Sequence, residues 1–386
     1  MQAATICLAL GGCAPRDPPE ETTDAPAVGG GQSVEAKIKT PITQEPNDGS
    51  TYRALKHQQD KLRAVPFEFA AVLRDENAFS AWQKDATRTF MRLLRMDSAR
   101  SNDTPLRFRK LSSEEHEGYR RDKVDYLVEP GLRIPAYLFV PSGARSASAP
   151  AIVAWHGHNE EGKEALTSQG EASYHRAGAV DLAKAGYIVL APDIRGFGET
   201  RSPGSARGKG TWKDHRLMSR IWLLHDQPAL GIFLADADKA VEVLKRLPEV
   251  DANRIGMTGI SLGGQITLYA AATNPDVRVA VVQSYLGSYP TSLYGYLHDT
   301  CNYIPALGRS LDISDVGLMV PPKPLLFVQG ATDWVFPSKP AREAFDRIAS
   351  GYRLLGVGEK ASLYVQPLKG HEWVSGPAIE WFEAHL

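Results

Sequence analysis

Gly259-Ile260-Ser261-Leu262-Gly263 is the stretch of this chain best suited to chemistry. A short apolar run, Arg254 to Thr258, precedes it, and a helix-like stretch, Gln265 to Ala272, follows. Strand, Gly-x-Ser-x-Gly and helix in that order form a nucleophile elbow, a turn so tight that only small residues fit two positions either side of the serine. Its hydroxyl is then presented at the carboxyl edge of a sheet, above a helix start whose N–H groups can face a developing negative charge.

A serine hydroxyl needs a base, and the base needs an orienting acid. After the apolar run Pro324 to Val328 comes Asp333, in a turn closed by Pro337. After Leu363 to Val365 comes His371, on a loop beside Gly370. The chain order serine, acid, histidine is the one this strand-elbow-helix architecture requires. Taken singly, Asp333 reads equally as a turn residue and His371 as a loop histidine. Together, each behind an expected strand, they read as a triad: Ser261 the nucleophile, His371 the general base, Asp333 its anchor. His215, His225 and His298 come before the last expected strand and fit the base position less well.

The oxyanion of an acyl-transfer intermediate needs two donors. The N–H of Leu262, next to the nucleophile, is one. The expected strand Ala151 to Trp155 runs into His156-Gly157-His158-Asn159, and the N–H of His158 is assigned as the other, with Asn159 as its neighbour. A metal site built on His156-x-His158 would need a close Asp-His pair, but Asn159-Glu160-Glu161 follows, so no metal is expected. The chemistry requires no cofactor.

These elements must sit on a sheet. After Pro150 short apolar runs (151–155, 187–191, 254–258, 277–283, 324–328 and 362–365) alternate with helical stretches (226–247, 265–272, 339–352 and 377–386). That rhythm implies an α/β fold whose mostly parallel sheet is covered by helices on both faces, with catalytic loops at the strands' carboxyl ends. Residues 106–141 alternate in strand fashion and predict antiparallel strands opening the sheet. Residues 51–100 read as a helical cap and 101–386 as the catalytic domain.

His156-Gly157-His158, Pro192-Asp193-Ile194-Arg195-Gly196-Phe197-Gly198, the serine elbow with Gly264, Asp333 to Pro337 and Gly370-His371 together resemble the α/β-hydrolase superfamily. The similarity is to bacterial esterases grouped with dienelactone hydrolases and acetyl xylan esterases, and it covers about residues 106–386. Dienelactone hydrolases carry a cysteine nucleophile where this chain has Ser261, which favours general ester hydrolysis. The resemblance implies a serine carboxylic-ester hydrolase acting on a small-molecule or carbohydrate ester, such as an acetylated carbohydrate. Arg195 reads as an anchor for the loop beneath the site.

The rival readings are a prolyl oligopeptidase-like peptidase, which would carry a large β-propeller, and a non-catalytic binding protein, which would have lost a triad member. Aspartate at the elbow would mark a dehalogenase or epoxide hydrolase, and serine stands there. Trp334, beside Asp333, is placed to line the acyl or leaving-group pocket. The insertion 284–320 carries Tyr285, Tyr289, Tyr294, Tyr296 and Tyr303. These tyrosines either offer flat, hydroxyl-bearing faces to a sugar or aryl group, with Tyr285 the pocket candidate, or pack the insertion onto the core. Cys301 reads as a buried small hydrophobe.

Among 386 residues, 44 Lys and Arg balance 45 Asp and Glu, so no long-range field draws nucleic acid. Three cysteines are too few for a disulfide framework. No apolar run approaches the roughly 20 residues that span a bilayer. Residues 1–13, with the apolar stretch Ile6 to Leu10 and Leu10-Gly11-Gly12-Cys13, resemble a lipoprotein signal in which Cys13 is lipidated, although no basic residue precedes the apolar core. Residues 14–50, rich in Pro, Gly, Thr and acids, read as a disordered linker. The expectation is an extracytoplasmic enzyme tethered to a bacterial membrane, or a cytoplasmic one where the signal resemblance does not hold.

Overall fold

The computed structural model of the chain describes residues 53–54, 56–58, 73, 75–100, 104–144, 148–167, 173–202, 213–293 and 298–386. Cys13, the linker expected over 14–50, Tyr294 and Tyr296 lie outside the described residues. The chain divides into a unit of residues 1–59, whose described residues are helical, and a unit of residues 60–386 that holds everything below.

Nine strands among the described residues form one sheet: β1 (Phe108–His116), β2 (Tyr119–Glu129), β3 (Leu132–Pro141), β4 (Ala149–Trp155), β5 (Ile188–Pro192), β6 (Val250–Ile260), β7 (Val279–Gln283), β8 (Leu325–Gly330) and β9 (Ala361–Gln366). Their order is β1-β2-β3-β5-β4-β6-β7-β8-β9. The first four in that order pair antiparallel and the rest pair parallel, so the expected antiparallel opening of a mainly parallel sheet is present.

The central strands are buried on both faces, and alternation decides which layer each side chain meets. In β4, Ala151, Val153 and Trp155 enter one core, while Ile152 and Ala154 enter the other. The first core lies under α1 (Glu76–Leu93), α5 (Ala229–Arg246), α6 (Leu262–Thr273) and α9 (Ser338–Leu354). The second lies under α3 (Gly178–Lys184) and α10 (Ser375–His385). Helices α2 (Met96–Arg100), α7 (Leu307–Ser310) and α8 (Ile313–Leu318) also bury side chains in the first core, and α4 (Lys213–Leu224) packs Trp222 against it. No helix among the described residues is long and apolar enough to cross a membrane.

Helix α1 starts at Asp75, whose carboxylate accepts the Ala78 N–H at 2.8 Å, a normal N-cap. Its buried residues Phe79, Trp82, Ala86 and Phe90 repeat at helical spacing. Phe90 meets Tyr269 of α6 edge-on at 4.9 Å, and the Gln83 amide donates to the carbonyls of Leu318 and Pro321. In its described part, the helical segment expected over residues 51–100 therefore adds a helix to the layer under the first core.

Candidate active site

Strand β6 ends at Ile260, α6 begins at Leu262, and Ser261 alone makes the turn, with φ 57° and ψ −118°. A positive φ costs a non-glycine residue about 1–2 kcal/mol, and the surroundings hold it there. The Ser261 N–H donates to the Gln283 carbonyl on β7 at 3.0 Å, and its carbonyl accepts the Gln265 N–H at 2.9 Å. The flanking glycines are sterically required. A Cβ on Gly259 would stand 2.4 Å from the Gly263 carbonyl oxygen, and one on Gly263 would stand 2.4 Å from that of Trp155.

Asp333 follows β8 and is buried. Its Oδ1 accepts the N–H groups of Val335 and Phe336 at 2.9 and 3.0 Å, and its Oδ2 accepts the Gln329 amide at 3.0 Å. With the carboxylate so fixed, Oδ2 meets Nδ1 of His371 at 2.9 Å. That bond puts the imidazole proton on Nδ1 and leaves Nε2 as the basic nitrogen. The His371 loop is tied down twice more: the Trp373 N–H donates to the Tyr174 carbonyl at 2.7 Å, and Arg176 pairs with Glu372. Phe336 stacks over His371 at 6.3 Å and meets His298 at 5.4 Å. Burial, then the neighbouring His371, pushes the His298 pKa down to about 4, which keeps that ring neutral near pH 7.

The turn after β4 is held from three sides. His156 accepts the Ile194 N–H at Nε2 (2.9 Å), so its Nδ1 proton goes to the Gly157 carbonyl (2.7 Å). The Gly157 N–H is committed to His175 Nε2 at 2.9 Å. The Asn159 amide donates to the Gly157 carbonyl at 3.0 Å. The Gly157 N–H is thus spent, and of this turn's expected donors that of His158 comes next in the chain.

The pocket candidates fare differently. Trp334, next in the chain to Asp333, is 67% exposed. Tyr285 is corrected: it is 1% exposed, its hydroxyl 3.1 Å from that of Tyr269, which also meets Tyr289 at 3.0 Å. Its ring packs on Phe336 at 5.1 Å, so it supports the wall from behind. Asn159 is half-buried, and its amide braces the turn after β4. Arg195 is the anchor expected, bidentate to Asp236 at 2.7 Å and paired with Glu129 at 2.6 Å.

Tyr174 was not singled out from the sequence. Its ring lies 5.4 Å from that of His371, and its hydroxyl donates to the His158 carbonyl at 3.1 Å and interacts with Ser261. Burial drives its pKa far upward, opposed by Ser261, so the phenol stays protonated. The Tyr174 ring thus links the His371 loop to the turn after β4. No local pattern marks Tyr174, because its partners come from three distant segments.

A family model described as Abhydrolase family matches residues 44–291, well over half of the chain and including the serine elbow. A Bacillus subtilis (strain 168) protein named "Putative hydrolase YtaP" is 25% identical over 241 residues, covering 60% of this chain and 74% of its own. A Bacteroides fragilis structure described as a putative acetyl xylan esterase superposes with a TM-score of 0.66 at 18% identity over 82% of each chain. Glucuronoyl esterase from Solibacter usitatus superposes with a TM-score of 0.56 at 15% identity, covering 83% of this chain and 98% of its own. At those identities the structures speak to the fold, and they share it. The family match and the sheet agree: this chain belongs to the Abhydrolase family and is a hydrolase of the α/β-hydrolase fold.

Proposed function

We propose that the chain is a serine carboxylic-ester hydrolase that works through an acyl-enzyme. Ser261 Oγ attacks the ester carbonyl while His371 Nε2 takes its proton, and Asp333 orients the imidazole and stabilises its charged form. The N–H groups of Leu262 and His158 receive the oxyanion. His371 passes the proton to the departing alcohol, then activates a water that releases the acid and restores Ser261. The observation that carries this reading is the 2.9 Å bond from the buried Asp333 to His371, set against the serine elbow, with the Tyr174 ring 5.4 Å from that of His371.

Short acyl esters of carbohydrates are the proposed substrates. The support is the resemblance to acetyl xylan esterases and the likeness to structures described as acetyl xylan and glucuronoyl esterases. A fluorophosphonate probe should label the intact protein and fail on Ser261→Ala, and p-nitrophenyl acetate and acetylated xylan should be deacetylated. Absence of both labelling and turnover would overturn the reading, and cleavage of a peptide amide in preference to esters would turn it toward a peptidase. The lipobox-like Leu10 to Cys13 supports an extracytoplasmic, membrane-tethered enzyme. Metabolic palmitate labelling of the wild type but not of Cys13→Ser tests that placement, and equal labelling of both would reject it.

A further inference from the structure

The ring of His158 turns away from the oxyanion turn into a cluster drawn from three segments. Its Nε2 lies 3.3 Å from Sγ of Cys301, and donor atoms of His158, His215 and Cys301 all fall within 4.8 Å of one another. Oδ2 of Asp299 lies 3.9 Å from the same Nε2. The geometry points to a binding site for a divalent transition-metal ion, Zn2+ foremost, held by the side chains of His158, His215 and Cys301 with Asp299 beside them.

Spacing fits the ion. Tetrahedral Zn–N and Zn–S bonds of about 2.0–2.3 Å hold neighbouring donors roughly 3.3–3.8 Å apart. The cluster begins within or a little beyond that range, so small side-chain rotations close it. Thiolate and imidazole donors suit Zn2+ and exclude Mg2+ or Ca2+, which require oxygen.

The protein also leaves acceptors in this cluster unspent. His215 and Cys301 are buried, and neither Nε2 of His215 nor Oδ2 of Asp299 has a hydrogen-bond partner among the described residues. Buried polar atoms are seldom left so, because each costs stability, and two facing one thiol ask for an explanation. The outer partners already suit metal ligands. The Nδ1 of His215 lies 3.1 Å from the Arg195 carbonyl, which fixes its proton there and leaves the Nε2 lone pair on the cluster side. Oδ1 of Asp299 is taken by Arg216 at 2.7 Å, leaving Oδ2 toward His158. His156 is excluded, since both its ring nitrogens are spent on backbone groups. The expectation of no metal rested on the neighbours His156 and His158, whereas the fold pairs His158 with His215 of α4 and Cys301 of the 284–320 insertion.

On binding, the Cys301 S–H bond is replaced by an S–Zn bond and its proton passes to solvent. The ion would join α4 and the Thr300–Asn302 turn to the turn that carries the His158 N–H. This is a structural role, and it stands whether or not Ser261 reacts.

The test uses the untagged intact chain, reduced, stripped by a chelator, then titrated with Co2+ and Zn2+. One equivalent of Co2+ should bind with the intense visible bands of a tetrahedral site and a thiolate-to-cobalt charge-transfer band. Zn2+ should displace it and raise the melting temperature. Cys301→Ser should abolish the charge-transfer band, and His215→Asn should weaken binding at least 100-fold, each with an unchanged far-ultraviolet circular dichroism spectrum. Absence of stoichiometric binding by the wild type at micromolar metal overturns the proposal. So does a charge-transfer band that survives in Cys301→Ser, which would place the ion on Cys7 or Cys13. If either variant fails to fold, the wild-type titration and band still decide.

Discussion

Gly330, the last residue of β8, lies directly against Gly370: a Cβ at position 330 would stand 2.0 Å from the Gly370 carbonyl oxygen and 2.6 Å from that of Lys369. The loop bearing Asp333 and the loop bearing His371 cross here, stitched by the Thr332 N–H and hydroxyl to the Lys369 carbonyl, both at 2.9 Å. The obstructing atoms are backbone, so Gly330→Ala must push the histidine loop aside. A displacement near 1 Å in a reacting group can cost on the order of 100-fold, so kcat for p-nitrophenyl acetate should fall by about that factor. Overpacking should also cost about 1–3 kcal/mol in urea unfolding. Gly376→Ala is the control, because its Cβ would meet nothing within 4 Å. Unchanged kcat in Gly330→Ala would show that the crossing does not set the His371 position.

Tyr174→Phe removes the hydroxyl that holds the His158 carbonyl and leaves the ring against His371. A neutral hydrogen bond contributes about 1 kcal/mol, so stability should drop by no more than that. If the phenol steadies the oxyanion turn, kcat should fall about tenfold with KM moved less, and fluorophosphonate labelling should slow in step. Wild-type kcat with reduced stability would confine Tyr174 to packing.

The fold was legible because local pattern carried it. The runs at 151–155, 187–191 and 324–328 became β4, β5 and β8 with ends shifted by a few residues, and the stretch at 226–247 became α5. The elbow at Ser261 and the Asp333–His371 pair were legible because each residue follows a strand in the expected chain order. What side chains do across the chain was less so. Tyr285 could have faced a cleft or the core, and only the Tyr269 hydroxyl, which meets both its own and that of Tyr289, decides for the core. The meeting of His158 with His215 and Cys301 depends on where α4 and the 284–320 insertion run, which no hydrophobic period encodes.

Beside that tyrosine cluster, Asp312 caps α8. Its Oδ1 accepts the N–H groups of Tyr289 and Ile313 at 2.8 and 2.7 Å, and its own N–H donates to Asp315 at 2.8 Å. Burial, outweighing those N–H donors and reinforced by Asp315, raises its pKa from 3.8 to about 6. The folded chain therefore binds more protons at this site than the unfolded chain between about pH 4 and pH 6. Its contribution to stability is full below the unfolded value and is lost as pH rises through the folded one. A rise of about two units corresponds to roughly 3 kcal/mol at most. Asparagine has no charge to bury, its oxygen can accept the same two N–H groups, and it is as good an N-cap as aspartate. Asp312→Asn should therefore stabilise the protein by about 1–3 kcal/mol at pH 7.5 and by little at pH 4. Urea midpoints of wild type and variant at the two pH values measure this, and taking their difference cancels the titration of groups common to both. An equal difference at the two pH values would mean that Asp312 ionises in the folded protein without penalty, and that its place among the tyrosines is better solvated than its burial implies.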